Sequence, residues 1–384
     1  MSGSETRARV DAGIRAGEIV LPAAKLDETL AFFTERLGFR VAAVFPADAP
    51  SVVVICGHGL RVRLEREGVG APGVLRLLCD DPSALAEGVL ELVAPNSTRV
   101  ELAAWNAPLQ VPALRPSFVL TRKGEASDWG RGRAGMLYRD LIPDRQGGRY
   151  VASHIRIPEG GPVPDYVHRH RVRFQLIYCY RGCVRVVYED QGPPFVLEAG
   201  DSVLQPPEIR HRVLESSAGL EVIEVSCPAE HETLADLELE LPTPSTRPER
   251  DFGGQLFVRH QSSVADWVPW RVPGFEARDL GIAAATRGLA GAQVVRWRGR
   301  ALGPSGADHP LATHDAELLF SFVLEGAATL DCGGHGQERV SAGDSFVIPA
   351  GRGHVLRECS SELELLQVAL PAGFTSVTLV PALE

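Results

Sequence analysis

Apolar residues along the last two-thirds of this chain gather in short, strand-length runs, and patterns recurring every three to four residues are scarce. VASHIRI (151–157), RFQLIYCY (173–180), CVRVVYED (183–190), SVLQP (202–206) and LEVIEVS (220–226) are short runs rich in β-branched and aromatic residues, bounded by Gly, Pro or Asp. Such runs at regular spacing predict a sandwich or barrel of short strands, not a parallel sheet with crossover helices. The first 120 residues differ. IVLPAAKLDETLAFFTERLGFRVAAVF (19–45) reads strand, amphipathic helix, strand, with Asp27 a candidate N-cap and Gly38 the stop. SVVVICGHG and LRVRLERE follow as a hairpin through Gly-His-Gly. A weaker second round runs from GVLRLLCDDPSALAEGVLELV (73–93) through RVELAAW to PSFVLTR (116–122).

The strand-rich part repeats itself. SDWGRGRAGMLYRDL (127–141) matches ADWVPWRVPGFEARDL (265–280), pairing Arg139-Asp140 with Arg278-Asp279. AGDSVLQPPEIRHRVLE (199–215) matches AGDSFVIPAGRGHVLRE (342–358), pairing His211 with His354, and LEVIEVSCPA (220–229) matches LELLQVALPA (363–372). Two copies of one unit, in tandem, therefore fill the last two-thirds of the chain. The expected organisation is a tail (1–14), an α+β domain (15–123), a first barrel (124–230), an exposed acidic, Pro/Ser/Thr-rich linker (231–250) and a second barrel (251–384).

Composition narrows the chemistry. The 384 residues carry a formal net charge of −10, which argues against nucleic acid or an anionic membrane surface as the main partner. Lysine occurs only at positions 25 and 123, so Schiff-base and P-loop lysine chemistry is nearly excluded. Seven scattered cysteines with no CxxC pair, no long apolar run and a start without an apolar signal core give the expectation of a reduced, cytoplasmic protein.

The chemical signal lies in the first copy. Gly161, six residues, His168-Arg-His170, four residues, Gln175, six residues and Gly182 are followed by Gly200, five residues, Pro206-Pro-Glu208, two residues and His211. Alternate strand residues share a face, so His168 and His170 project together, and His211 can add a third imidazole from a neighbouring strand. Three imidazoles suit Fe, Zn, Cu, Ni or Mn. Gln175 stands an odd number of residues from His170; with a bend between them it serves as a fourth ligand or as a hydrogen-bond partner of a bound water or substrate. Glu221 and Glu224 have opposite parity, so on a regular strand one of them faces inward; Glu224, with Gln175, is the candidate catalytic residue. Cys179 and Tyr188 suit the barrel lining or plain core. Arg169, Arg171 and Arg173 have the parity of an outer face.

This spacing resembles the cupin superfamily, whose two motifs read G-x5-HxH-x(3,4)-E-x6-G and G-x5-PxG-x2-H-x3-N. In the first copy Gln175 stands at the glutamate position and Glu208 at the glycine. In the second copy Gly343, Pro349, Gly351 and His354 fit the second motif, with Glu358 in place of the asparagine, but the first motif is eroded to Ala312-Thr-His314 and Leu319. The resemblance implies a mainly β fold of two cupin double-stranded β-helix barrels in tandem, a homodimer, and a metal site in the first barrel only. His314 and His354, with help from His309, Asp315 or Glu317, would make at most a two-imidazole site in the second. The strand–LDETLAFFTERLGF–strand segment resembles one half of the glyoxalase (vicinal oxygen chelate) βαβββ fold. Its ligand positions would fall near Glu18 and near Glu65 or Glu67, with no histidine among them, so no metal is expected there.

Three neutral histidines and a neutral glutamine leave a divalent charge uncompensated, which favours an anionic or chelating small molecule. The expectation is a metal-dependent enzyme with one divalent ion, Fe(II) first and Zn, Mn, Ni or Cu as alternatives. It would be a dioxygenase acting on an anionic aromatic or enolisable substrate, similar to gentisate-type ring-cleaving enzymes. A redox-neutral isomerase, lyase or cyclase and a non-catalytic metabolite-binding bicupin are the alternatives.

Overall fold

The computed structural model describes residues 17–46, 50–85, 88–124, 129–132, 135–299 and 310–379; the tail 1–14, His309 and parts of the 127–141 block lie outside the described residues. The chain divides into two compact units, one ending at Pro108 and one beginning at Leu109. Among the described residues no helix is long and apolar enough to cross a membrane.

In the first unit, Ile19–Pro22, Arg40–Phe45, Val52–Gly57 and Leu60–Glu65 form a four-stranded sheet in which the first strand runs parallel to the fourth. Leu26 and Phe33, from the helix Leu26–Ala31 and the wider turn Phe32–Arg36 that continues it, pack on Ile55, Val62 and Leu64. The helix begins after Lys25, so Asp27 does not cap it. Asp27 sits with Glu28 in the first turn, where negative charge complements the exposed N–H groups. Gly38, at φ +70°, ends the helical segment, and His58-Gly59, both at positive φ, turn the hairpin. Val74–Cys79, Glu91–Val93 and Arg99–Ala104 form a smaller sheet whose first and last strands are again parallel.

The second unit holds two barrels of matching topology. Each has a seven-stranded sheet facing a smaller one. In the first barrel the large sheet centres on Phe174–Arg181, Leu220–Cys227 and Val151–Ile157, and the small sheet carries Cys183–Tyr188, His211–Ser216 and His168–His170. The second barrel repeats this with Leu318–Glu325, Glu364–Leu370 and Gly291–Trp297 against Ala327–Cys332, His354–Arg357 and Ala312–His314. Even the register shift at Cys179/Arg181 recurs at Val323/Glu325.

Two segments fall elsewhere than the sequence reading put them. Val119–Thr121 is not part of the first unit: it pairs with Ser345–Val347 as an edge strand of the second barrel. Reciprocally, Val258–His260 pairs with Ser202–Leu204 of the first barrel. The repeated unit thus starts near Phe118, and each copy lends its leading strand to the other barrel. The supposed linker is also partly strand. Thr233–Ala235 pairs with His168–His170, as Ser376–Thr378 pairs with Ala312–His314. Arg247 and Arg250 then bind the buried Asp190, fastening the rest of the segment down.

The strands of the large sheets are apolar on both faces because both faces are covered. Leu220, Val222 and Glu224 face the interior of their own barrel, while Ile223 and Val225 join a core shared with the other barrel. That core brings Tyr150, Phe174 and Leu176 together with Phe320, Phe322 and Leu366. At its edge Arg139 Nη2 donates to Gly343 O of the other barrel (2.6 Å) and to His154 Nδ1 (3.1 Å). His154 Nε2 donates in turn to Glu221 (2.8 Å). The pseudo-symmetric Arg278 reaches Gly200 O at 3.3 Å.

Phe320→Ala is expected to cost about 3–5 kcal/mol and to leave the two barrels unfolding as one transition in urea. Two resolved transitions, or a loss below about 1 kcal/mol, would contradict a shared core. Burial, aided by the Arg139 charge and opposed by Glu221, pushes the His154 imidazole down to about 4, and burial holds His314 at about 4 as well. The unfolded chain therefore binds protons that the folded one refuses between about pH 6.5 and 4, and stability falls as pH drops through that window. His154→Gln should flatten the slope of denaturation midpoint against pH there; an unchanged slope would show that His154 does not carry it.

Candidate metal centre

The chain turns back after His170, so His168–His170 lies in the small sheet and Gln175 in the large one. The parity count between them does not apply, and Gln175 faces the same interior as the histidines. His168 stands directly across from His211 in the antiparallel pair. One ring nitrogen from each of His168, His170 and His211 lies within 4.8 Å of the others, and this is the one such cluster of three or more candidate ligands among the described residues.

The local backbone selects the tautomers. A carbonyl can only accept, so His168 Nδ1 donates to Tyr166 O (2.8 Å) and His211 Nδ1 to Ile209 O (3.0 Å), which puts the in-plane lone pair of each ring on Nε2. His170 Nδ1 meets Thr233 Oγ1 at 3.0 Å. Asp165, buried 3.7 Å from His168 Nδ1, accepts from Val213 N. This donor set fits a divalent transition ion: three imidazoles held by their second nitrogens on one wall.

Behind them runs a chain of amides. Tyr188 Oη donates to Gln205 Oε1 (2.9 Å), and Gln205 Nε2 reaches both His211 Nε2 (3.1 Å) and Gln175 Oε1 (3.2 Å). Gln175 Nε2 then donates to Glu224 Oε1 (3.0 Å), which also accepts from Ser226 Oγ. Glu224 is thus the inward member of the glutamate pair, while Glu221 is buried on the opposite face against His154. The site is less purely cationic than four neutral ligands implied, because the Glu224 carboxylate lies one hydrogen bond beyond Gln175. Met136, Ile155, Val186, Val213 and Val222 are among the apolar residues that line the rest of a cavity of about 90 Å³. Tyr188 lines it, and burial raises its phenol; Cys179 is packed in the core outside it, its thiol pushed up to about 12 by burial.

The flanking residues are structural. Glu208, at φ +63° where the motif has glycine, binds Arg169 (2.6 Å) and approaches Arg171 (3.6 Å). The left-handed backbone costs about 1 kcal/mol in a non-glycine residue, and these pairs offset it while tying the turn to the ligand strand. Arg173 approaches Glu317 at 3.8 Å, so all three arginines point away from the cavity, and Glu317, bound to Arg149 and Tyr150, is no helper for His314.

The other candidate sites do not assemble. In the first unit Glu18 binds Arg61 and Glu65 binds Arg63. In the second barrel Ala312 and Leu319 replace two donors, and His314 Nδ1 accepts from Ala316 N (3.1 Å), which puts the proton on Nε2. That tautomer offers a metal no lone pair at Nε2, and Asp315 is spent on Thr375 N. Sequence reading missed Thr233, Gln205 and Asp165. Gln205, an amide at the end of the apolar strand SVLQP, carried a signal; Thr233 did not, because it arrives on a segment with linker composition.

Comparison with known proteins agrees with this architecture. Residues 153–226 and 301–368 match the Cupin domain family. No curated protein matches the chain. Among solved structures, a mutant of Bacillus subtilis oxalate decarboxylase is similar with a TM-score of 0.50 and 14% identity, over 70% of this chain and 80% of that one. The Lactobacillus farciminis oxalate decarboxylase formate complex gives 0.49 and 15%, over 70% and 89%. A study of the Mn(II) centres of the Bacillus subtilis enzyme gives 0.49 and 14%, over 70% and 80%. Likeness at such identity concerns the fold. The chain carries two cupin domains in tandem, a mainly β bicupin architecture.

The purified protein is expected to bind about one divalent ion per chain, to lose it in His170→Ala and to keep it in His314→Ala. Thr233→Val should weaken metal binding about tenfold, measured by competition with a chromophoric chelator. Metal retained unchanged in His170→Ala would move the site out of the first barrel.

Proposed function

We propose that the first barrel is the active site of a metal-dependent enzyme for a small anionic substrate, and that its reaction is an oxygen-dependent cleavage of the dioxygenase type. The observation that supports this reading is the donor set: three oriented imidazoles at one end of an apolar cavity, with glutamine where the motif has an anionic ligand. Fe(II) is the ion favoured here, and Mn, Zn, Ni or Cu suit the same imidazoles. When bound, the ion would supply Lewis-acid and redox chemistry toward a chelating aromatic or enolisable acid.

The chain's own side chains do the rest. His168, His170 and His211 would hold the ion, and their carbonyl and hydroxyl partners keep the rings from turning. Gln175, pinned between Gln205 and Glu224, ligates or hydrogen-bonds the substrate through Oε1. Glu224 takes a proton from the substrate at Oε2 while Oε1 stays bound to Gln175 and Ser226. The valine and isoleucine walls exclude water. Residues 17–108, on their strand–helix–three-strand order with parallel outer partners, read as a glyoxalase-like unit without metal chemistry of its own.

Oxygen consumption should appear with one of a panel of hydroxylated aromatic acids and β-diketones on protein reconstituted with each of these ions. It should vanish in His168→Ala and fall about 10²–10⁴-fold in Glu224→Gln. Product formed equally under nitrogen would select a redox-neutral isomerase, lyase or cyclase at the same centre. Tight ligand binding with no product under any ion would leave a metabolite-binding bicupin.

A further inference from the structure

The second barrel has lost its metal donors but not its interior. A cavity of about 90 Å³ remains, the same size as that of the first barrel. Its walls are Phe275, Leu330, Phe346, Ile348 and Leu365, with Ala312 and Leu319 at the vacated ligand positions. Gln367, matching Glu224, replaces the carboxylate with a neutral amide. Among the described residues no acidic side chain lines this cavity.

One cation does. Arg271 lies at the cavity rim with its guanidinium over the rings of Trp270 (4.2 Å) and Phe374 (4.9 Å). Its Nη2 donates to Gln367 Oε1 (3.2 Å), an oxygen that also accepts from Gln293. Among the described residues no carboxylate pairs with it, leaving most of its five N–H donors without a protein acceptor. Arg271 is exposed to solvent there, and its guanidinium is charged at neutral pH. Its neighbours are unlike a structural arginine's: in the same chain Arg149, Arg210, Arg250 and Arg296 each bind an acid.

Two imidazoles stand close by. His354 lines the cavity, and its ring lies 5.6 Å from that of His314. The His314 Nε2–H is buried and has no hydrogen-bond partner. Burial pushes both imidazoles down, so they are neutral and add no positive charge of their own.

We propose that the second barrel is a metal-independent binding site for a small monocarboxylate with an apolar or aromatic body. The carboxylate would pair with the Arg271 guanidinium, and the body would fill the space between Phe275, Leu330 and Phe346. A guanidinium without an acid partner at the mouth of an acid-free apolar cavity is the chemistry of anion capture. The inference does not rest on the metal reading of the first barrel.

Calorimetric titration of the full chain, stripped of metal with EDTA, tests it with benzoate and hexanoate as ligands and benzamide as the neutral control. Benzoate or hexanoate should bind saturably, and benzamide at least tenfold more weakly. Arg271→Gln should weaken binding at least tenfold, Arg271→Lys less, and His170→Ala should leave it unchanged. Ala312→Leu, which fills the cavity without touching the guanidinium, should also weaken it, so a folding fault in one variant does not decide the matter. Equal binding of benzamide, binding retained in Arg271→Gln, binding lost in His170→Ala, or no saturable binding of either acid up to about 10 mM would each overturn the proposal.

Discussion

The packing of one large sheet against the other organises this bicupin. Each seven-stranded sheet has its barrel interior on one side and the partner barrel on the other, so its strands must be apolar on both faces. Leu318–Glu325 meets that demand almost without interruption, and Leu220–Cys227 does so apart from Glu221, Glu224 and Ser226. The exchanged strands Val119–Thr121 and Val258–His260 close the two ends of the arrangement, and Arg139 and Arg278 reach across to the glycine carbonyls of the facing AGD turns. The polar exceptions on these faces are therefore informative. Glu221 is tied to His154 at the edge of the shared core, and Glu224 opens into a cavity.

With the large sheets committed to each other, chemistry is left to the interiors and to the small sheets. There the two copies diverge through hydrogen bonds as much as through residue identity. Carbonyls at Tyr166 and Ile209 turn the Nε2 lone pairs of His168 and His211 toward a common centre. In the second barrel the Ala316 amide fixes His314 in the opposite tautomer. Restoring a histidine at 312 would not by itself rebuild a metal site, because the amide would still hold its neighbour the wrong way round.

The fold was legible because the repeat and the short runs of β-branched and aromatic residues are dense signals. The HxH spacing and its distance to His211 located the cluster for the same reason: strand geometry converts sequence parity into a shared face. What escaped depended on contacts made by distant segments. Nothing in PSFVLTR marks it as a strand of the second barrel, and HETLADLELE has the composition of a linker although Thr233 supports His170. Parity also failed between His170 and Gln175, where the chain passes from one sheet to the other. Asp27 was misread as a cap because a helix boundary shifts by a residue at little cost.

The exchange of leading strands has an evolutionary reading. Two equivalent barrels, back to back, each completed by the other's first strand, have the symmetry of a homodimer written into one chain. In a true dimer of identical subunits every substitution appears in both sites at once. Once the copies are joined, His168 can be kept while its counterpart becomes Ala312, and the shared core, lying on the far side of both large sheets, does not register the difference. The duplication freed one interior to drift while the other stayed under constraint.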